Sequence, residues 1–478
     1  MTLQRIATVL VLLSILGIGL FDHDLWAPDE PRAAELGREF LETGASWAVP
    51  TLNARPFMEK PPLVYWTIAA CLRLLGVQDG AARLPAALFG AGTLLFVWLL
   101  ARRLYDERAG TAACLILATS WGFLVVTHHV EADSGLLFFV TAATYFLWRA
   151  LSGRGLWYGA AAAAVLGAFF SKGFIGLALP GLGWLAWVAW MRCPRELLRA
   201  RPWIWVPLLA LPIGAWIGSL GPDLARTFWV DNHLHRFLGA GGDQDRGHLK
   251  EPWYYLVQLP AWFLPWSLAL VPLFRWVWGR RREGPERFLL GFILPAFLLL
   301  SVAGSKRAIY LLPIFPALSI LVAGWLSNAK GRPWLEPCVA ALVLGLGTVW
   351  VLIGPRLNQE RSFKPFCREV SRQVGPGTKL YGYDPDETAQ AVVPFYTGRM
   401  FDPIWTEREL DRVARAAIGT VAVITVDVGS AHWHSDRVRS RFPYIWIVTP
   451  ADRGRRMLLF SNVAPPEGEG GFRVPPGR

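Results

Sequence analysis

Apolar residues run in long blocks along most of the chain, and each block is closed by a short polar or basic connection. A helix that crosses a bilayer needs about 20 mainly apolar residues. Blocks of that size predict eleven spanning helices, at 3–21, 82–103, 110–128, 134–151, 155–171, 173–191, 203–220, 256–278, 286–303, 308–326 and 335–354. Split or re-entrant helices would bring the number to twelve or thirteen. Between the first two blocks the pattern is amphipathic. Over Pro31–Thr43, Ala33, Ala34, Leu36, Phe40 and Leu41 share one face, and Arg32, Glu35, Arg38, Glu39 and Glu42 the other. That predicts a helix lying in the membrane interface. Pro31 suits its first turn and Gly44 its C-terminal end. A second stretch, Pro61–Leu75, is too short and too charged to span and reads as interfacial too.

The pattern changes near Arg356. Apolar runs shrink to strand length at Lys379–Tyr383, Thr420–Asp427, Tyr444–Thr449 and Arg456–Ser461, with helical patterns at Glu409–Ala417 and Ser435–Arg441. The expectation is a small α/β domain over 356–478, following a membrane domain over 1–355. Its Gly/Pro-rich end, Pro465–Arg478, predicts disorder.

Composition supports a membrane protein over a soluble enzyme with a large core. Of 478 residues, 53% are hydrophobic and only 18% charged, against about 25% charged in a typical soluble domain. The formal charge of +12 does not point to nucleic acid, because the excess lies in connections between apolar blocks: Arg102, Arg103 and Arg108; Arg149 and Arg154; Arg192, Arg195, Arg199 and Arg201; Arg275, Arg280, Arg281, Arg282 and Arg287; Lys330 and Arg332. Cytoplasmic loops carry such an excess. With eleven spans the N-terminus is then cytoplasmic. The loops 22–81, 128–133, 171–173, 221–252 and 304–307 and the C-terminal domain face outward. No small-residue cleavage site follows the first block, which predicts that it is retained. The five cysteines are scattered without a CxxC, so neither a disulfide framework nor a thiolate zinc site is implied.

The outward segments hold most of the unusual polar residues. Asp29 and Glu30 stand at a helix N-terminus, as a general base or as plain complements to the helix dipole. Lys60, in the sequence Glu59-Lys60-Pro61-Pro62, suits a phosphate and equally suits an interfacial lysine. His128, His129, Glu131 and Asp133 match no strong metal template; they read as a weak metal set or a polar turn. Lys172 sits at membrane depth between two apolar blocks, where an ionisable group is costly. The stretch Asp231–Tyr255 mixes His, Arg and acids around a Gly-rich centre, as a lid or as an exposed loop. Lys306 and Arg307, with Tyr310, are cations on the outward side, against the charge trend. Lys60, Lys172, Arg236, Lys306 and Arg307 on one face suit a phosphate or diphosphate. There is no P-loop, no dinucleotide fingerprint and no nucleophile elbow.

Taken in order, APDEPRAAELGREF, MEKPPLVYW, HHVEADSGLLFF, SKGFIGLALP, NHLHRFLG with HLKEPWYY, and SKRAIYLLPIFPAL resemble the membrane glycosyltransferases that use polyprenyl-phosphate sugars. The nearest are the bacterial aminoarabinose lipid A transferases, with protein O-mannosyltransferases more distant. The resemblance reaches to about Leu326 and implies a mostly α, polytopic fold of the GT-C type in the bacterial inner membrane, with 11–13 transmembrane helices and a small periplasmic α/β domain. It implies inverting transfer of a sugar from undecaprenyl phosphate to lipid A, another glycan or a protein. Carried over, Asp29 is the essential acid, with Glu59 and Asp133 beside it. Lys60, Lys172, Arg236, Lys306 and Tyr310 surround the donor phosphate and sugar. No cofactor is required; Glu59 with His248 could hold a structural zinc. The competing expectations are a lipid or sugar transporter or flippase, and a lipid or glycan binder without turnover. The first lacks the internal repeat such proteins carry.

Overall fold

The computed structural model describes residues 3–464 apart from 43, 45, 152, 154, 241–248, 329–334, 417–418, 429–432 and 450–454. The predicted disorder of Pro465–Arg478 lies outside the described residues.

Helices occupy all eleven predicted positions. They are α1 (Leu3–Gly17), α4 (Asp79–Leu104), the pair α5 (Glu107–Ala118) and α6 (Trp121–His128), α7 (Asp133–Leu151), α8 (Trp157–Lys172), α9 (Ile175–Met191) and, after the short α10 (Arg195–Arg199), α11 (Pro202–Ser219). Beyond them lie α14 (Tyr254–Trp262) with α15 (Leu270–Arg280), α16 (Gly284–Val302), a 3-10 turn at Ala308–Ile314 running into α17 (Phe315–Asn328), and α18 (Leu335–Arg361). Among the described residues, six of these are long and apolar enough to cross a membrane, or eight if each bent pair is one span. Three predicted spans, those at α1, α8 and α9, form helices below full spanning length, of 15, 16 and 17 residues. Proline explains two of the irregularities. Pro265 interrupts the segment between α14 and α15, which bends by 113°. Pro313 and Pro316 leave the start of the 308–327 span in 3-10 geometry, because proline cannot donate to the helical ladder.

The membrane core forms around α4, α5, α7, α8, α9, α16 and α17, with Val97, Phe123, Phe263, Phe288, Phe315 and Ile320 fully enclosed. Small residues let these helices close up. A Cβ at Gly167 would sit 2.4 Å from the Phe139 ring, so that glycine is the socket for the ring. α11 and α18, by contrast, are mostly exposed apolar surface, as helices facing lipid are.

The first outward segment holds α2 (Asp29–Glu39), a small hairpin of β1 (Thr51–Leu52) and β2 (Arg55–Pro56), and α3 (Leu63–Leu75). The polar face of α2 is not in water. Glu35, Arg38 and Glu39 are buried along with the apolar face. Arg38 donates to both Glu35 carboxylate oxygens, at 2.7 and 2.8 Å, and the Ala54 N–H donates to Glu39 at 3.1 Å. A helix in the interface was expected; this one lies between α3 and the C-terminal domain. Within the stretch expected as the long loop 221–252, residues 221–238 are helical. They run through α12 (Gly221–Arg226), a π-helix at Thr227–His235 and the single turn α13 (Arg236–Leu238).

The C-terminal domain contains α19 (Lys364–Gln373), β3 (Lys379–Tyr383), α20 (Glu387–Thr397), β4 (Asp402–Ile404), α21 (Glu407–Arg415), β5 (Val421–Val428), α22 (Trp433–Arg439), β6 (Tyr444–Val448) and β7 (Arg455–Ser461). Its sheet has the order β4-β3-β5-β7-β6. β3 runs parallel to β4 and β5, and β7 antiparallel to β5 and β6. The four predicted strands and two predicted helices are present; α19, β4 and α20 were not predicted. α20 reads poorly because its apolar positions are nearly continuous: both faces are covered, one by its own sheet and the other by α2.

Candidate active site

One end of the helix bundle gathers the charged residues that the sequence scattered over 280 positions. α2 starts at Asp29, and its first turn aims Arg32 back at that carboxylate. Arg32 Nη2 donates to Asp29 Oδ1 at 2.6 Å and stands 3.9 Å from Glu59 Oε2. Arg307, just ahead of the 308–327 span, donates to Asp29 Oδ2 at 3.1 Å and lies 3.7 Å from Glu131 Oε1. Arg236, at the end of the π-helix, donates to Glu59 Oε1 at 2.8 Å. Asp133 opens α7 and pairs with Lys172 at the last turn of α8. The Lys172 ammonium also stands over the Tyr310 ring, 4.3 Å from its centroid. Lys60 faces Glu59, Tyr65 and Asp133.

Each partial enclosure has an electrostatic consequence. Burial raises the Asp29 carboxyl, but Arg32, Arg307 and Lys60 outweigh it and hold the group below the usual aspartate range. Burial acts the same way on Glu59, and Lys60, Arg32 and Arg236 overcome it by a wider margin. Burial would lower the Lys60 ammonium, but Glu59, Tyr65 and Asp133 keep it well above the usual lysine range. Glu131 goes the other way: burial, then the like charges of Asp133 and Asp29, push it up to about 6. Its Oε2 is buried without a hydrogen-bond partner among the described residues. Four carboxylates among five cations can hold a phosphate dianion and leave one ionised acid to take up a proton.

Seven of the sequence-predicted residues are thus brought together: Asp29, Glu59, Lys60, Asp133, Lys172, Arg236 and Tyr310. Lys306 is not in the set. Its ammonium donates to the backbone carbonyls of Ala303 and Lys250, and the neighbouring Arg307 reaches the acids instead. His248 lies outside the described residues. Glu30, read with Asp29 as a possible base, is fully engaged in structure. It takes two hydrogen bonds from the buried Arg83, at 2.8 and 3.0 Å, and one from the Trp26 N–H at 2.8 Å. Sequence reasoning missed Arg32 and Glu387. Arg32 carried a signal, its place three residues after Asp29 on a helix. Glu387 carried none, since it belongs to the other domain.

Residues 59–217 match the family model of the dolichyl-phosphate-mannose-protein mannosyltransferases. An undecaprenyl phosphate-alpha-4-amino-4-deoxy-L-arabinose arabinosyl transferase of Edwardsiella ictaluri is 35% identical over 339 residues, which are 68% of this chain and 60% of that protein. A second transferase of that name, from Pseudomonas fluorescens, is 32% identical over 71% of this chain and 63% of its own. ArnT from Cupriavidus metallidurans, solved bound to undecaprenyl phosphate, superposes with a TM-score of 0.81 at 20% identity, covering 96% of this chain and 98% of that one.

The chain has the GT-C fold of these transferases, and over 68–71% of its length it is similar in sequence to the aminoarabinose transferases named above. It spans about 60% of the length of the curated relatives it matches. A more distant GT-C neighbour is the archaeal oligosaccharyltransferase AglB from Archaeoglobus fulgidus, with a TM-score of 0.52 at 13% identity over 95% of this chain and 74% of that one. A related structure of that enzyme is a complex with Zn and sulfate. In this GT-C chain the described residues do not fit a zinc site. No three His, Cys, Asp or Glu side chains gather as a ligand set among them. Glu59, the expected ligand, already accepts from Arg236 and stands among Lys60 and Arg32, whose charges oppose a second cation.

Proposed function

We infer that the protein is an inverting glycosyltransferase of the bacterial inner membrane. It moves a sugar from undecaprenyl phosphate to an acceptor oxygen on lipid A, another glycan or a protein at the periplasmic face. The observation that carries this reading is Asp29, ionised between Arg32 and Arg307, within a ring of cations at one end of an apolar bundle. The donor's tail would lie among the helices, and its phosphate would meet Lys60, Arg236 and Lys172. The acceptor oxygen attacks the anomeric carbon from the face opposite the phosphate. As that bond forms, the bond from carbon to the phosphate oxygen breaks and its electron pair leaves with the phosphate. The acceptor proton goes to an Asp29 carboxylate oxygen. Cations placed where the leaving charge develops lower the barrier without a metal. The names of the relatives favour an aminoarabinose donor and support this reading. The charged groups lie at helix ends, not at mid-membrane, which gives a transporter no support.

The basic connections, at Arg102–Arg103, Arg149, Arg192–Arg201 and Arg280–Arg282, follow the opposite ends of the same helices. That distribution supports a cytoplasmic N-terminus, with the site and the C-terminal domain in the periplasm.

The test uses purified protein in lipid nanodiscs with undecaprenyl-phosphate-linked sugars and lipid A, following free undecaprenyl phosphate by mass spectrometry. Wild type should release it, and Asp29→Asn should lose about 10³-fold in rate while keeping its melting temperature. Equal release by both would remove Asp29 as the base. Absence of release by wild type across a broad donor panel would overturn the transferase reading.

A further inference from the structure

Arg32 is the hinge of the acid cluster, and one of its three acidic neighbours comes from outside the membrane domain. Its Nη2 serves Asp29 and faces Glu59, while its Nη1 is bonded to Glu387 of the C-terminal domain. The Arg32 side chain is 15% exposed and that of Glu387 51%, so the pair lies at the rim of the site.

Glu387 is firmly presented there. It is the first residue of α20, directly after Asp386, whose side chain caps that helix by accepting from the Ala389 N–H at 2.8 Å. Arg455 of β7 donates to Thr388 at 2.9 Å, tying the same turn to the sheet. Ala391 and Phe395 of α20 are buried with Ala33, Ala34 and Leu36 of α2. A guanidinium with one end fixed cannot rotate freely, and its planar fork then has a set direction.

We propose that Glu387 is a positioning residue of the active site: by holding Arg32 Nη1 it aims Nη2 at Asp29. Without Glu387, the guanidinium can turn toward Glu59, which already stands 3.9 Å from it and whose Oε2 is buried without a hydrogen-bond partner among the described residues. Asp29 would then keep its bond from Arg307 and lose the one from Arg32. The inference rests on the transferase reading for its kinetic arm only.

The experiment compares wild type, Glu387→Ala, Glu387→Gln and Asn53→Ala in nanodiscs. Asn53 lies on the same domain interface, where its side chain pairs with the Phe401 backbone at 2.9 and 3.2 Å. Glu387→Ala should lower kcat about tenfold and leave donor KM within about twofold, because Asp29 acts on the acceptor. Glu387→Gln keeps an acceptor for Nη1 and should recover part of the loss. Asn53→Ala should change melting temperature with kcat kept. Equal kcat in Glu387→Ala and wild type, or parallel losses in Glu387→Ala and Asn53→Ala, would overturn the proposal. A structure of the Glu387→Ala protein without donor gives an independent reading. Arg32 turned off Asp29 supports the proposal, and Arg32 still bonded to Asp29 in the present geometry sinks it. Failure of wild type to turn over any donor would count against the transferase reading alone, and the structural arm would still decide the role of Glu387.

Discussion

Asp29 and Glu30 are adjacent acids at one helix start, and their surroundings divide their roles. Glu30 is enclosed with Arg83 and accepts hydrogen bonds from its guanidinium and from the Trp26 N–H. Burial opposes its ionisation, but Arg83 and then His129 hold it at about 2. Its ordinary value is 4.5, so the stabilisation is fully present above that pH and is lost as pH falls toward about 2. The contribution is on the order of 3 kcal/mol. Glu30→Gln should remove it and leave Arg83 buried without its countercharge, at a cost of about 3–5 kcal/mol; a melting curve near neutral pH checks this. Glu131 has the opposite sign. Held near 6 by burial, Asp133 and Asp29 against the pull of Arg307 and Lys60, it favours the folded state when protonated. Stability should therefore fall by about 2 kcal/mol as pH rises from 4.5 to above 6. Glu131→Gln should flatten that slope and raise the melting temperature at pH 7.5. An unchanged slope would mean that another group titrates there.

At the scale of elements, two glycines hold two site-bearing segments together. The Gly304 N–H donates to the Phe237 carbonyl at 2.7 Å, and the Ser305 N–H to that of Arg236 at 3.2 Å. A Cβ on Gly304 would lie 2.6 Å from the Gly239 backbone, which has no side chain to move aside. Gly304→Ala should push the Arg236 segment from the Arg307 segment and reduce kcat/KM by about 10- to 100-fold. Gly345→Ala on α18 meets nothing within 4 Å and should be neutral. The π-helix before Arg236 belongs to the same arrangement. Asn232 donates to the Met58 carbonyl at 2.7 Å, which sets that segment beside Glu59 and Lys60. Neither the glycine contact nor the π-helix is legible from periodicity. One depends on a partner 65 positions away, and the other on a backbone that departs from the 3.6-residue repeat.

Across the whole molecule, the C-terminal domain covers α2 and closes the active-site end. Lys364 pairs with Asp24 and Asp79, Tyr396 donates to Asp79 at 2.5 Å, and the Leu25 N–H donates to Tyr396 at 2.9 Å. Deleting the chain after Arg361 should expose Glu35, Arg38 and Glu39 together with Ala34 and Leu36, and lower the melting temperature by at least about 10 °C. An unchanged temperature would mean that the membrane domain folds independently. The sequence by itself determined the membrane class, the position of every long apolar helix, four strands of the sheet and most of the acid–cation cluster. Those features are written in local hydrophobic runs and in polar residues that interrupt them at a cost. Only the tertiary structure decided which acid sits between two arginines, that Arg307 and not Lys306 faces it, that the polar face of α2 is covered, and that Glu387 bonds Arg32. Each of these depends on contacts between residues far apart in the chain, where no local pattern records the pairing.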